Sequence, residues 1–324
     1  MAKLPRILSD CLPWSKYRKS LETEIEQLRG NVERLRGNVE QLRGKLASYE
    51  QFVPPGHFYS PIPSLEQVRS EENRIFGLPP RTLPGIDLRE EQQVALLRAL
   101  HPHYQDLPFP EKKTQGLRYF YENPNYSYGD AIILYSMIRR IRPKRIIEIG
   151  SGYSSCAILD TNELFFNNSI DCTFIEPYPD LLYSLTDPGD RSRNRFITRR
   201  VQDVELELFD ELNEGDILFI DSTHVAKIGS DVNHIFFQVL PRLPHGVYVH
   251  FHDVFHPFEY PKDWVYAGIA WNEDYLLRAF LQYNSAFQIE YFAAFLFCFY
   301  RDIFAELFPL CLKNIGGNIW LKSL

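Results

Sequence analysis

With 324 residues, 45% of them hydrophobic, the chain has enough apolar matter for one large domain or two smaller ones. A net charge of −7 argues against nucleic acid as a partner held by a broad basic surface. Five scattered cysteines (Cys11, Cys156, Cys172, Cys298, Cys311), odd in number and never in a C-x-x-C pair, exclude a disulfide framework and a cysteine zinc site, and point to reduced thiols in the cytoplasm.

The first twenty residues, MAKLPRILSDCLPWSKYRKS, lack the unbroken apolar stretch of a secretory signal. Residues 21–50 hold a repeat, LRGNVERLRGNVEQLRGKLASYE. With Ile25, Val32, Val39 and Leu46 at heptad position a, Leu28, Leu35, Leu42 and Tyr49 fall at d, a pattern that favours a parallel two-stranded coiled coil and hence a homodimer. Glu26, Glu33 and Glu40 each precede Arg29, Arg36 and Arg43 by three residues, which sets opposite charges side by side on a helix. Gly30, Gly37 and Gly44 take the outward f position, where each costs about 0.8–1 kcal/mol, so burial against a partner must hold the helix. The alternative is a single helix that packs its stripe on its own domain.

Residues 51–110 read as a linker. FVPPGHFYSPIPS is broken by four prolines, DLREEQQVALLRAL suggests a short helix with a capping box of Asp87 and Glu90, and HPHYQDLPFP follows. The main domain is expected over 111–324. There, strands (RIIEIG, CTFIE, RFITR, DILFID, GVYVHFHD) alternate with helices starting near Gly129, Ser154, Tyr178, Val232 and Asn272, and FQIEYF and GGNIWLKSL add final strands. The greasiest run, YFAAFLFCFY (Tyr291 to Tyr300), is about half the roughly 20 residues of a membrane helix. It reads as core, and no membrane span is expected. Right-handed crossovers then bring every parallel strand's C-terminus to one edge, where such folds bind ligands.

That edge collects polar residues. Strand one ends in Glu148-x-Gly150-x-Gly152-x-Ser154, a turn that lets backbone N–H groups approach a ligand over a helix N-terminus. Strand two ends in Glu176, suited to a ribose diol; Asp203 follows strand three, Asp221 ends strand four, and His250, His252 and Asp253 end strand five. A nicotinamide enzyme shares the first two features, but its G-x-G-x-x-G fingerprint meets Ser155 at the third glycine, and Glu148 suits a cation better than a pyrophosphate.

IIEIGSGYSS, FIEPYP, GDILFIDSTHVAKIGSDV and VHFHDVFHPFEYP together resemble the class I S-adenosylmethionine-dependent methyltransferases, and most nearly the small-molecule and sugar O-methyltransferase-like branch called methyltransferase family 24, over residues 118–324. The resemblance implies an α/β, Rossmann-like seven-stranded sheet with its last strand antiparallel. It implies S-adenosylmethionine held by Glu148, Gly150, Ser151, Gly152, Tyr153, Ser154, Glu176 and Asp221, with Asp203 or its neighbours near the adenine. Tyr126 and Tyr128 stand in the segment that touches cofactor in such enzymes. It also implies a divalent cation, magnesium or similar, on Asp221, His252 and Asp253, where the histidine shifts the preference toward a transition metal.

A sugar hydroxyl holds its proton far above neutrality, so O-methyl transfer to a saccharide or other polyhydroxylated small molecule needs a base or a metal. Asp221 with His224 or His250 forms the candidate catalytic group. Because His250 and His252 alternate along a strand, both are expected in the pocket only if the strand has turned; otherwise one packs. HPFEYPKDW (His256 to Trp264) reads as an acceptor-side lid. Two other readings stay open: a silent methyltransferase-like interaction module, and an NAD-dependent oxidoreductase.

Overall fold

The computed structural model describes residues 14–49 and 52–324. Cys11 and the side chain of Tyr49, both used above, lie outside what is described. Two compact units divide near Ser70. The first carries the long helix Trp14–Tyr49 and the short helix Leu65–Ser70. The long helix's heptad residues stand in solvent, with Leu35 57% and Leu42 64% exposed, and a Cβ on Gly30, Gly37 or Gly44 would meet nothing within 4 Å.

The second unit runs from Glu71 to Leu324, so its N-terminal boundary precedes the expected one at residue 111. The helix Glu90–Tyr104, assigned to the linker by its prolines, is part of this unit: Leu97 and Leu100 are fully buried, and the buried Gln93 side chain accepts a hydrogen bond from Phe292 N (2.7 Å). The expected capping box does not form. Asp87 accepts from Arg89 N instead (2.9 Å), and Arg89 enters the helix at φ +48°.

Seven strands follow: β1 Arg145–Ile149, β2 Asp171–Ile175, β3 Arg195–Ile197, β4 Ile217–Ile220, β5 Tyr248–His252, β6 Phe287–Phe292 and β7 Asn318–Ser323. They order as β3-β2-β1-β4-β5-β7-β6, all parallel except β7, which runs antiparallel to β5 and β6. This is the doubly wound sheet the resemblance implies. Near-continuous apolar runs such as Ile217–Ile220, fully buried, mark strands covered on both faces. YFAAFLFCFY closes β6 and forms the helix Ala293–Phe299; Tyr291 to Leu296 lie in the core, and Cys298 is exposed. Among the described residues no helix is long and apolar enough to cross a membrane.

Register places one side chain from each central strand in a single row: Phe196, Phe174, Glu148, Phe219, His250, Trp320. Two polar residues thus sit in an aromatic row. Their surroundings decide what each can do.

Candidate active site

The turn after β1 explains its glycines. Gly150 adopts φ +79°, and a Cβ there would fall on the carbonyl oxygen of Asp221 at the end of β4. The tight approach is fixed by Gly150 N donating to Ile175 O (3.0 Å) and Asp221 N to Ile149 O (2.8 Å), so the ends of β1, β2 and β4 are tied together. Glu176 clasps this junction, accepting from Ser151 N (3.2 Å) and Tyr178 N (2.7 Å). Each carboxylate oxygen keeps a further lone pair for a ligand.

Beside it lies a cavity of about 300 Å³ lined by Gly150, Glu176, Tyr178, Gln202, Asp221 and Lys227, among others. A larger cavity of about 850 Å³ lies against residues at the opposite edge, such as Gly215 and Tyr248, and touches none of the residues expected in the site. Chemistry rather than size therefore picks the smaller one.

Glu148 lies beneath the turn, wholly buried. Its Oε2 accepts from Ser155 Oγ, while Oε1 has no partner. Burial pushes its carboxyl up to about 8, against the hydrogen bonds of nearby serines. Of the expected cofactor residues, Gly150, Glu176 and Asp221 reach the cavity wall. Ser151, Gly152, Tyr153 and Ser154 form the turn and helix start behind it: Gly152 N donates to Ser155 Oγ (3.1 Å), and Tyr153 packs edge-on to Phe120. Asp203 does not line the cavity; its carboxylate is taken by Arg200 (2.8 and 3.0 Å), and the adjoining Gln202 faces the cavity instead. Tyr126 is buried against His252 and Tyr128 stacks on Tyr121, and neither lines the cavity.

Adjacent to Asp221 is a second cluster. Two imidazoles each bridge an outer carboxylate and a central pair. His224 sets Nδ1 on Glu273 (2.8 Å) and Nε2 toward Asp221 (3.3 Å) and Asp253 (3.8 Å). His252 sets Nε2 toward Asp130 (3.6 Å) and Nδ1 toward Asp221 (3.4 Å) and Asp253 (3.6 Å). His224 and Asp253 both hold left-handed backbone, φ +59° and +55°. Non-glycine residues keep such conformations where the surroundings impose them, often at functional sites. Here His224 O accepts from Asn272 N (3.0 Å) and Glu273 N (3.1 Å).

Burial disfavours the His224 cation, but hydrogen bonds and charge from Asp221 and Glu273 outweigh it and hold the imidazole up at about 10. His252 is likewise raised: burial opposes its charge, and Asp221, Asp253 and Asp130 overcome it. Burial would lift the Asp221 carboxyl, yet the two imidazoles hold it far below the usual range. Asp253, deeper, is raised by burial.

His250 does not join this cluster. It stacks on Phe219 at 4.1 Å and meets Trp320 at 4.8 Å, neither ring nitrogen has a partner, and burial drives its pKa well below the ordinary value. Residues two apart on a strand share a face, so depth separates the pair: His252 emerges at the strand end and His250 is packed one step inside. Among the described residues no group of three or more His, Cys, Asp or Glu side chains is placed to hold a metal ion. Asp221, His252 and Asp253 are neighbours, but as placed both nitrogens of His252 are turned to carboxylates, Nε2 to Asp130 and Nδ1 to Asp221 and Asp253. The expected lid is also packed: Phe258 and Tyr260 are buried, and the half-buried Trp264 faces Trp271.

The model of a methyltransferase domain, methyltransferase family 24, matches residues 147–254, from β1 through Asp253. A protein of Archaeoglobus fulgidus, itself called uncharacterized, is 38% identical over 177 residues, 51% of this chain and 75% of its own length. The chain carries a methyltransferase domain. Solved relatives include the Podospora anserina methyltransferase PaMTH1 bound to S-adenosylhomocysteine (15% identity, 75% of this chain and 98% of that one, TM-score 0.40). The O-methyltransferase TomG of Streptomyces achromogenes, in complex with S-adenosylmethionine, is similar at 16% identity, over 71% of this chain and 89% of that one, TM-score 0.39.

At the wall of the cavity Glu176 presents a carboxylate, while the partnerless Oε1 of Glu148 lies buried behind it. The methyltransferase's Gln202, Thr223 and Lys227 also line the cavity. The sequence did carry a signal for the latter two, since DSTHVAKIGSDV continues past Asp221, but polar loop residues give no ligand geometry by themselves. Glu148→Gln is expected to stabilise the cofactor-free methyltransferase at alkaline pH. A buried acid raised from 4.5 to about 8 costs nothing below pH 4.5, and its penalty grows as pH rises to 8, on the order of a few kcal/mol. Melting temperatures should coincide at pH 4.5 and favour the glutamine at pH 9; equal values at both would mean Glu148 ionises freely.

Proposed function

We propose that the methyltransferase transfers a methyl group to a hydroxyl of a saccharide or other polyhydroxylated small molecule, with His224 as the base. The observation that carries this is the Glu273–His224 pair beside Asp221, because Asp221 belongs at once to the cofactor cavity and to the imidazole cluster. S-adenosylmethionine, when bound, supplies an electrophilic methyl on a positively charged sulfur. Gly150 and Glu176 would hold it, with Glu148 buried behind them. Glu273 fixes Nδ1 of His224, and Nε2, which faces Asp221, would exchange that contact for the acceptor's hydroxyl and take its proton. With its imidazole raised to about 10, His224 is mostly the cation at neutrality, and only its neutral fraction takes the proton. Asp221 and Asp253 accept hydrogen bonds from neighbouring hydroxyls and disfavour an anionic acceptor.

The test is methyl transfer from labelled S-adenosylmethionine to a panel of methyl glycosides in excess EDTA. Transfer is expected, since no step passes through a cation. Loss on chelation, restored by magnesium or manganese, would return a metal to Asp221, His252 and Asp253. Failure of S-adenosylhomocysteine to bind at millimolar concentration would favour a silent interaction module.

The N-terminal helix supports a homodimer. Its a/d stripe is exposed and unpaired, with branched residues at a and leucine at d, and a second copy offers the matching seam. Sedimentation should give a dimer that Leu35→Asp converts to monomer; a monomeric wild-type chain would remove this part of the reading. Paired catalytic domains would gain avidity for a repeated glycan. The free cysteines Cys156, Cys172, Cys298 and Cys311 support a reducing compartment such as the cytoplasm.

A further inference from the structure

Trp271 lies against the proposed base. Its ring centroid is 4.4 Å from that of His224, tilted by 35°. Trp264 meets it edge-on at 5.4 Å and 87°, and Tyr260 at 6.1 Å and 76°, so the indole is wedged in place. The backbone joins base and indole into one rigid piece. His224 O accepts from Asn272 N and Glu273 N, and the Asn272 side chain both accepts from Ala226 N (2.6 Å) and donates to Ala226 O (3.3 Å). The indole remains only half-buried. Across the base stand two partly accessible carboxylates, Asp221 with 31% and Asp253 with 18% of its side chain exposed.

An indole face is electron-rich, whereas one face of a pyranose carries axial C–H bonds of partial positive charge and its edges carry hydroxyls. Carboxylates accept from those hydroxyls and offer no donor to an anionic group. An aromatic platform and two carboxylates around one base therefore suit a neutral sugar ring. We propose that Trp271 is the acceptor-positioning residue, the accessible part of its indole packing against a pyranose ring beside the His224 cluster while Asp221 and Asp253 bind its hydroxyls. This rests on the hydroxyl-acceptor reading given above.

The test uses the full chain saturated with S-adenosylhomocysteine and saturation-transfer NMR with methyl α-D-glucopyranoside, methyl α-D-mannopyranoside and methyl α-L-rhamnopyranoside, with catechol as the flat aromatic counterpart. Saturation should reach the C–H protons on one face of at least one glycoside. Trp271→Ala should weaken that binding by about two- to tenfold, Trp271→Phe should keep part of it, and S-adenosylhomocysteine affinity by calorimetry should be the same in all three proteins, which also shows the variants folded. Glycoside binding by Trp271→Ala equal to wild type would overturn the proposal, as would catechol alone binding, or no glycoside binding to wild type at high millimolar concentration. A wild-type chain that fails to bind S-adenosylhomocysteine is a separate result: it removes the methyl-transfer reading and this subsite with it.

Discussion

Methyl transfer by His224→Gln is expected to fall roughly 10²–10⁴-fold, the usual worth of a positioned base, while S-adenosylhomocysteine affinity stays near wild type. Glutamine keeps polar atoms near Glu273 but cannot accept the acceptor's proton and carry it as a cation. The wild-type pH profile should be distinctive. With His224 raised to about 10, the neutral base is scarce at neutrality, and kcat/KM should climb about tenfold per pH unit before it levels. Glu273→Gln removes one of the two carboxylates that hold the proton, so the rising limb should move to lower pH and the plateau should drop as the ring loses its anchor. The same linkage bears on folding. A histidine raised in the folded state contributes stability in full below about pH 6.5, and the contribution fades as pH rises toward 10. A profile already flat at pH 7 would give the base role to another group.

How much of this was legible beforehand follows from where the information sits in the chain. The turn around Gly150 and the ends of β4 and β5 were readable because each packs its signal into a few adjacent residues: an apolar run, then a small or acidic residue. Asp130 and Glu273 were not readable. They reach the imidazoles from a helix before β1 and from one after β5, and nothing in SYGDA or WNEDY marks either carboxylate as facing the site. His250 was misleading because a histidine in an aromatic row is spelled like a site histidine; only the register against Phe219 and Trp320 shows its depth. The carboxylate of Asp203 is taken by Arg200, three residues before it, so in this stretch the neighbouring Gln202 is the residue that lines the cavity. The helix Glu90–Tyr104 was legible in DLREEQQVALLRAL, but the prolines around it concealed that it packs into the second unit; Pro102 is tolerated within its last turn. Asp130 also shows how backbone supports chemistry at a distance. Its Oδ1 accepts from Gly317 N (3.1 Å) and Asn318 Nδ2 (2.7 Å), and Gly316, at φ +73°, passes so close that any Cβ would collide with the carboxylate. The start of β7 thereby holds the acid that faces His252.

Arg118→Ala is expected to destabilise the catalytic unit by about 3–5 kcal/mol, the cost of leaving buried charges unpaired. The Arg118 guanidinium bonds Asp160 (2.7 Å), Asp190 (2.7 and 2.8 Å) and Glu163 (2.8 Å), and Asp160 and Asp190 are almost wholly buried. Burial works to raise both carboxyls. It prevails at Asp160, whereas Arg118 and the Asp187 N–H keep Asp190 below its usual value. A carboxylate lowered in the folded state contributes stability above its unfolded pKa, near 3.8, and loses it as pH falls. The gap between wild type and Arg118→Ala, read by denaturant unfolding, should therefore be widest near pH 7 and narrow toward pH 4, where protonation relieves the orphaned acids. Arg118→Lys should recover only part of it, because one ammonium cannot serve three carboxylates in fixed directions. The effect should also reach the site. Asp160 accepts from the backbone N–H of Arg118 and Tyr119, and Tyr119 Oη donates to the carbonyl of Tyr126, whose ring lies against His252. Loosening this segment should slow methyl transfer at temperatures where the variant remains folded, while Glu163→Ala, which removes only the half-exposed partner, should cost under about 1 kcal/mol and leave the rate unchanged. Equal effects of the two substitutions would mean that the buried acids find other partners.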